Sequence, residues 1–320
     1  MATHLARFEH AGRLQWGVVQ GAALAPLEGS YPTTAALIAG GEADWRAAAA
    51  RPPSLPLTQV RLQSPVTTPA RVVCQGANYR QHMLESGLDP DHKRYNMFFE
   101  KSDASVAAPV GSIVRPAHVQ LLDYELELAL VMRRQVSGPV TVTVRELPEY
   151  VFGFTIANDV SARDVQLPQT QFFKGKSYRG FCPLGPYLAV PEPEDFASLE
   201  RLTLTLWVND QVRQQDSTAN LVYKPAETMT ELSQFSDLSP GDVLLTGTPA
   251  GCALRAPPPL LRRLMQALLP EPALWATFVR AQSRRPQYLR PGDVVRATIR
   301  GDDGRIDLGE QRHRVEQGAP

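Results

Sequence analysis

The segment Tyr124–Val131 alternates two carboxylates with large apolar residues, and chemistry is first legible there. Read as a buried strand, it sends Glu125 and Glu127 to one face, with Cα atoms roughly 6.5–7 Å apart. Tyr124, Leu126, Leu128 and Leu130 then point to the other face. Two carboxylates this close repel and lose hydration unless a charge between them compensates, and a hard divalent cation is the simplest compensator. An edge strand with a solvated acidic face is the alternative that these residue types leave open.

Three further segments carry groups suited to such a site. Phe152, Phe154 and Ile156 suggest a strand running into Asn158 and Asp159. An Asp at that point either donates an oxygen inward or caps the helix that follows, and capping is the commoner use. Arg163 and Gln166 would then share one helical face. Lys174 and Lys176 stand two apart among aromatic residues. In an extended chain they point the same way and could stabilise an anion; otherwise they are surface lysines on a loop. Leu244–Gly251 reads as a strand ending in a Gly- and Thr-rich turn. Its N–H groups could cradle a carboxylate, or it is a plain hairpin turn; the spacing fits neither a phosphate loop nor a dinucleotide fingerprint.

The elements that must position these groups are mostly short strands. Leu5–Glu9 and Leu14–Val19 flank a turn at 10–13, Thr34–Gly40 reads as a short helix, and the Pro-bearing stretch 51–56 reads as a linker. These delimit a small β-rich unit over residues 1–62. Beyond it, Val140–Val144 and Leu202–Val208 alternate as half-buried strands should, and Asp242–Thr246 and Asp293–Ile299 each follow a Pro-Gly turn. Residues 253–288 differ: Leu261, Leu264, Met265 and Leu268 lie at helical spacing, as do Leu274, Trp275, Phe278 and Val279. Pro270 and Pro272 separate the two runs, so an inserted αα-hairpin is expected. The pattern favours a mainly β architecture with α elements (α+β) over a doubly wound parallel sheet.

Composition narrows the function classes. Of 320 residues, 43% are hydrophobic and 21% charged, which suits an ordinary globular core. Lys+Arg and Asp+Glu both total 33, a balance that argues against nucleic-acid binding as the main function. Cys74, Cys182 and Cys252 are scattered with no C-x-x-C pair, so reduced, partly buried thiols are expected. No signal peptide or membrane-spanning run is evident, and a cytoplasmic protein with no membrane association is the expectation.

Taken in order, five blocks resemble the fumarylacetoacetate hydrolase family: Gly76–Glu85, Tyr124–Ala129, Asn158–Gln166, Lys176–Tyr178 with Cys182–Pro186, and Pro240–Gly251. The resemblance covers about residues 70–252 and resumes near Leu289. It implies a mixed β-sandwich/β-roll catalytic domain over 63–320 behind the small N-terminal domain, as in a bacterial branch often labelled hydroxyheptadienedioate isomerase. It implies a homodimer. It also implies that Glu125, Glu127 and Asp159 bind Mg²⁺ or Mn²⁺ and that Lys176 is the active-site lysine. His82 and Glu85 match a pair on a short helix that closes over substrate and activates water. Arg163, Gln166 and Thr248 match positions at the pocket for the oxo-acid end of a small-molecule substrate.

Those residues suit C–C bond hydrolysis in an acylpyruvate-like 2,4-dioxo acid. A chelated 2-oxo acid yields an enolate that a cation stabilises, while His82, oriented by Glu85, deprotonates water. Decarboxylation or isomerisation of a hydroxyheptadienedioate-like or oxaloacetate-like substrate is the second expectation. A non-catalytic binding protein with a degenerate site is the third. Three departures from the family pattern bear on the substrate: Glu100 where relatives carry lysine, with Lys101 beside it; Arg179-Gly180 in place of Asp-Thr; and the long 253–288 insertion, expected to wall the pocket or build a dimer contact.

Overall fold

A computed structural model describes residues 2–92, 95–256 and 270–319. Ala11 and Gly12, with φ of 49° and 74°, close a two-residue hairpin between strands Thr3–His10 and Arg13–Gln20. Ala23–Pro26 and Leu55–Pro56 extend this hairpin. The helix expected at Thr34–Gly40 forms, with the Thr33 side chain accepting from Ala36 N. A second helix, Glu42–Ala49, follows at once and buries Trp45 and Ala48.

The architecture is mixed, with an eleven-stranded sheet as its backbone. Strands Leu126–Met132 and Val151–Asn158 lie at its centre, antiparallel, with Leu126 opposite Asn158. Val243–Leu245 flanks the first, and Val72–Gly76 runs parallel to it further out, with Met97–Lys101 at the edge. On the other side Leu188–Val190 joins the central pair to Thr3–His10, so the N-terminal strands belong to the same sheet. Every residue of Leu126–Met132 and Val151–Asn158 is buried because each face meets its own core. Leu126, Leu128 and Leu130 pack with Leu204, Leu206 and Ile299 of a second sheet. Ala129 and Val131 pack instead with Trp16, Leu37 and Trp45 of the N-terminal unit.

The second sheet has five strands in the order Gln211–Ser217, Leu202–Val208, Val294–Gly301, Asp307–Gln317, Val110–Arg115. Gln311 ties it to the central sheet. Its buried Nε2 lies 3.0 Å from Ile156 O, 3.1 Å from Pro183 O and 3.0 Å from Gly185 O. Ile156 O also accepts from Gly185 N at 3.0 Å, so the amide adds a second donor to a strand carbonyl and reaches two carbonyls of the 183–185 turn.

One expectation is corrected here. Val140–Val144 is not a strand, although Val142 is buried as the alternation required. Val140 N and Val142 N donate to Ser233 Oγ (3.0 Å) and Thr230 Oγ1 (2.9 Å), so hydroxyls at the end of helix Pro225–Leu232 stand where a β partner was expected. Of the inserted hairpin, Glu271–Ser283 is a helix bearing Trp275 and Phe278, while Leu261, Leu264, Met265 and Leu268 lie outside the described residues. Cys74, Cys182 and Cys252 are all free and buried. No helix among the described residues is long and apolar enough to cross a membrane.

Two outcomes test this layering. Gln311→Leu removes the side-chain donor from the Pro183 and Gly185 carbonyls, while Ile156 O keeps Gly185 N, and should cost about 2 kcal/mol in urea unfolding. An unchanged midpoint would mean that water replaces the amide. His313 is buried, its Nε2 3.0 Å from Ala108 O, and burial lowers its pKa from the usual 6.5. A histidine with a depressed folded pKa binds its proton more readily when unfolded, so its stabilisation holds above about pH 6.5 and is lost as pH falls towards the folded value. His313→Gln should therefore flatten the loss of stability between about pH 6.5 and 5. Midpoints measured across that range decide, and an unaltered slope would place the acid sensitivity elsewhere, as at His4, whose pKa burial also lowers.

Candidate metal centre and active site

The central antiparallel pair brings the acidic residues together. Asp159 N donates to Glu125 O at 2.8 Å, so the end of one strand is laced to the start of the other. The strand expected from Tyr124 begins at Leu126, with Glu125 just outside it. Side chains account for the shift: Asn158 Oδ1 accepts from Glu125 N (3.0 Å) and Gln214 Oε1 from Leu126 N (2.9 Å), in place of ladder carbonyls. Carboxylate oxygens of Glu125, Glu127 and Asp159 nevertheless all lie within 4.8 Å of one another, and all three residues are buried. Asp159 does not cap a helix; Arg163–Gln166 starts at Ala162 without a side-chain cap.

Three buried cations offset this charge. Lys176 Nζ bridges Asp159 Oδ2 (2.5 Å) and Glu125 Oε2. Arg163 reaches Asp123 Oδ2 (2.9 Å), Glu125 Oε1 and Gln166 Oε1 (2.9 Å). Lys101 Nζ sits 2.5 Å from Asp159 Oδ1. Within Met97–Lys101, alternation turns Lys101 inward, while Glu100 pairs with Arg71 at the surface. The neighbouring lysine thus occupies the site that Glu100 itself does not serve.

Lys174 and Lys176 do not point the same way, because Phe172–Lys176 is helical and residues two apart on a helix lie on different faces. Lys174 is exposed and Lys176 buried. Gly175 lets this helix press against Arg163–Gln166: a Cβ there would lie 2.6 Å from Gln166 Cβ.

Electrostatics separates the carboxylates. Burial acts to raise the Glu125 pKa, but Arg163 and Lys176 outweigh it and hold that carboxyl well below the usual range. Burial, then the charges of Asp159 and Glu125, push Glu127 well above it. Burial works to lower the Lys176 pKa, yet Asp159 and Glu125 prevail and keep the ammonium charged. Among the described residues, the hydrogen bond that reaches Glu127 comes from Gly247 N at 2.7 Å. Gly247 holds φ of +89°, so the turn does cradle a carboxylate, but one supplied by the protein.

Asp123, Glu125, Glu127 and Asp159 face Lys101, Arg163 and Lys176, four carboxylates against three cations. A fully ionised set carries excess negative charge, concentrated at Glu127. The oxygen-only donor set and this under-compensated carboxyl fit a hard divalent cation held by Glu125, Glu127 and Asp159. Such an ion would leave the cluster net positive, the sign that receives a substrate carboxylate.

A cavity of about 320 Å³ opens onto these groups, lined also by His82, Glu85, Gln166 and Thr248. His82 and Glu85 lie on helix Arg80–Glu85 as expected. Their expected pairing is replaced, because Glu85 Oε2 accepts from Gly251 N (3.0 Å) and Oε1 pairs with Arg255. Cys252 Sγ lies 3.9 Å from His82 Nδ1. Burial lowers the His82 pKa, so the imidazole is neutral near pH 7. Thr248 lines the cavity, but its hydroxyl donates to Leu126 O (3.1 Å) and accepts from Gln214 (2.8 Å), so its proton serves the framework.

The sequence marks Lys101 as the lysine beside Glu100 without fixing which way it points, and it gives Asp123 and Cys252 no role. Asp123 shares the parity of Glu125 and Glu127, a signal present in the chain. Cys252 carried none.

Comparison with known proteins gives concordant matches. Residues 71–316 match the family described as fumarylacetoacetate (FAA) hydrolase, C-terminal, and residues 3–65 match Rv2993c-like, N-terminal. The chain is 36% identical over 220 residues to oxaloacetate tautomerase Fahd2a, mitochondrial, of Rattus norvegicus, covering 68% of each chain. It is 37% identical over 215 residues to oxaloacetate tautomerase YisK of Bacillus subtilis (strain 168), covering 65% of this chain and 68% of the relative. Among solved structures, a probable 2-hydroxyhepta-2,4-diene-1,7-dioate isomerase from Mycobacterium abscessus aligns over 100% of both chains with a TM-score of 0.74 and 30% identity.

The buried charge cluster yields a contrast between neighbours. Lys101→Met leaves Asp159 under-compensated and should destabilise the metal-free protein by about 3 kcal/mol or more. Glu100→Ala removes an exposed ion pair and should change stability by about 1 kcal/mol or less. Chemical denaturation of both variants in EDTA checks this, and equal effects would mean that Lys101 is not part of the cluster.

Proposed function

The chain belongs to the fumarylacetoacetate hydrolase family, and from that premise we propose a divalent-metal-dependent enzyme that interconverts the enol and keto forms of a 2-oxo acid. The observation that carries this reading is the buried trio Glu125, Glu127 and Asp159 with the Lys176 ammonium inserted between two of its members. Two relatives are named as oxaloacetate tautomerases and one neighbouring structure as a probable isomerase, and these names support the same class of chemistry. Glu125, Glu127 and Asp159 would hold Mg²⁺ or Mn²⁺. When bound, such an ion supplies Lewis acidity at the keto oxygen of a chelating 2-oxo acid.

The chain's own residues do the rest. Lys176 stays charged because two carboxylates face it, and it places positive charge beside the oxygen that becomes enolic. Arg163 clamps Glu125 and Asp123, which fixes the ligand side chain in one rotamer. His82, neutral and on the cavity wall, accepts the C3 proton at a ring nitrogen and returns it to the enol oxygen. Breaking the C3–H bond and forming the O–H bond leaves composition unchanged.

A second reading is hydrolysis of a C–C bond in an acylpyruvate-like 2,4-dioxo acid, with His82 taking a proton from water. The neutral His82 at the cavity favours it. The Glu85 carboxylate, bound to Gly251 N and Arg255, gives no help in orienting that base. As parts of the same proposal, residues 1–62 form a small domain beside the catalytic domain 63–320, and the protein is a cytoplasmic homodimer.

Protein stripped with EDTA and restored with Mg²⁺ or Mn²⁺ should exchange the C3 hydrogens of acetylpyruvate, and more slowly those of the diacid oxaloacetate, with deuterated solvent, followed by NMR. Asp159→Asn should lower that rate about 100-fold or more. Metal-dependent release of pyruvate from acetylpyruvate would instead establish the hydrolytic reading. Neither exchange nor cleavage with any metal would sink the enzyme proposal.

A further inference from the structure

Around the carboxylates, the cavity walls are apolar to a degree that the metal chemistry does not require. One wall is Phe99 and Phe172, packed edge to face at 5.2 Å, with Lys176 Nζ 5.3 Å from the Phe99 ring centre. The other is built by the insertion: Leu254 and Ala256 at its start and Phe278 on helix Glu271–Ser283; Leu88 also lines the cavity. This second wall is fixed to the charge cluster. Asp123, which receives Arg163, also accepts from Ala253 N (2.7 Å) and Leu254 N (3.1 Å). Gln282 Nε2 donates to Arg255 O (3.0 Å) and Arg285 Nε to Ala253 O (3.2 Å), which ties the helix end to the same segment. Trp275 stacks on Phe278 with ring centres 5.2 Å apart.

The charges in the cavity point the same way. Among the described residues, Arg163 and Lys176 are the cations in the lining, and both are already engaged, Lys176 by Glu125 and Asp159 and Arg163 by Glu125 and Asp123. The other charged group along the walls is Glu85, already paired with Arg255 and Gly251 N. A second carboxylate on the substrate would lose hydration against phenyl rings, whereas methylenes or an aryl ring would gain contact.

We infer that the substrate is a 2-oxo acid with one carboxylate and a neutral, apolar alkyl or aryl tail, and that Phe278 and Leu254 of the insertion select that tail. The inference rests on the reading of the site as a 2-oxo-acid centre. It assigns the insertion a role in specificity: the same carboxylate cluster serves a different tail because a different wall is attached to Asp123.

The test uses the full-length protein with Mg²⁺ and three 2,4-dioxo acids: 2,4-dioxopentanoate, 2,4-dioxooctanoate and 2,4-dioxoheptanedioate. The expected kcat/KM rises about threefold per added methylene from pentanoate to octanoate, and the diacid falls at least about tenfold below the octanoate. Phe278→Ala should lower the octanoate-to-pentanoate ratio about tenfold, and Phe278→Lys should shift preference towards the diacid. Leu254→Ala, on the other arm of the wall, should lower the same ratio and guards against misfolding at position 278. A diacid equal to or better than the octanoate would overturn the inference even with turnover intact. Calorimetry with 2-oxooctanoate and 2-oxoheptanedioate separates the two levels of the argument. Tighter binding of 2-oxooctanoate without turnover of any dioxo acid keeps the tail assignment and rejects the catalytic reading. Failure to bind either acid in Mg²⁺ rejects both.

Discussion

Everything in this fold that bears on function depends on keeping several carboxylates buried within a few ångströms of each other. Water cannot solvate them there, so each needs a partner: Lys101 and Lys176 for Asp159, Arg163 and Lys176 for Glu125, Arg163 for Asp123. Glu127 receives a backbone N–H where the others receive cations, and it is the group whose ionisation the surroundings oppose. The cluster is therefore nearly balanced without a metal and short of positive charge at one defined oxygen pair. This is an arrangement that a divalent ion completes and that few other ligands would.

Such a cluster needs a rigid frame, and the central strand pair supplies it. Both strands are buried on both faces, between a core shared with the second sheet and one shared with the N-terminal unit. The acidic residues lie where the pair ends and ladder hydrogen bonds give way to Asn158 and Gln214 side chains. Irregular backbone is tolerated at that point because each lost ladder bond has a named replacement. Gly247 in the adjoining turn brings its N–H to Glu127 for the same reason, at a φ that favours glycine.

The cavity then grows from two independent sources. The charged end belongs to the sheet, whereas the second wall belongs to the insertion and hangs from Asp123 through Ala253 and Leu254. Chemistry and tail recognition can thus vary separately. The Glu85–Arg255 ion pair links the insertion to the helix that carries His82, so the wall and the candidate base are positioned by one set of contacts.

The sequence by itself was enough for the α+β class, the N-terminal hairpin, the Thr34–Gly40 helix and the shared face of Glu125 and Glu127, because these depend on alternation, turn residues and short-range spacing; Asp159 joined that pair only through the family resemblance. It misjudged Val140–Val144, where the period was right but the partner was a pair of helix hydroxyls rather than a strand. Residue types alone did not separate Lys174 from Lys176, because facing depends on whether the chain is helical or extended; the family resemblance singled out Lys176. Lys101, Asp123 and Cys252 gain their places through contacts between residues 40 to 170 positions apart, such as Asp123 with Arg163, Lys101 with Asp159 and Cys252 with His82. Which carboxylates are neutralised and which is left short of charge was decided by tertiary packing. Charge compensation in a buried site depends on distance in space, and distance along the chain does not determine it.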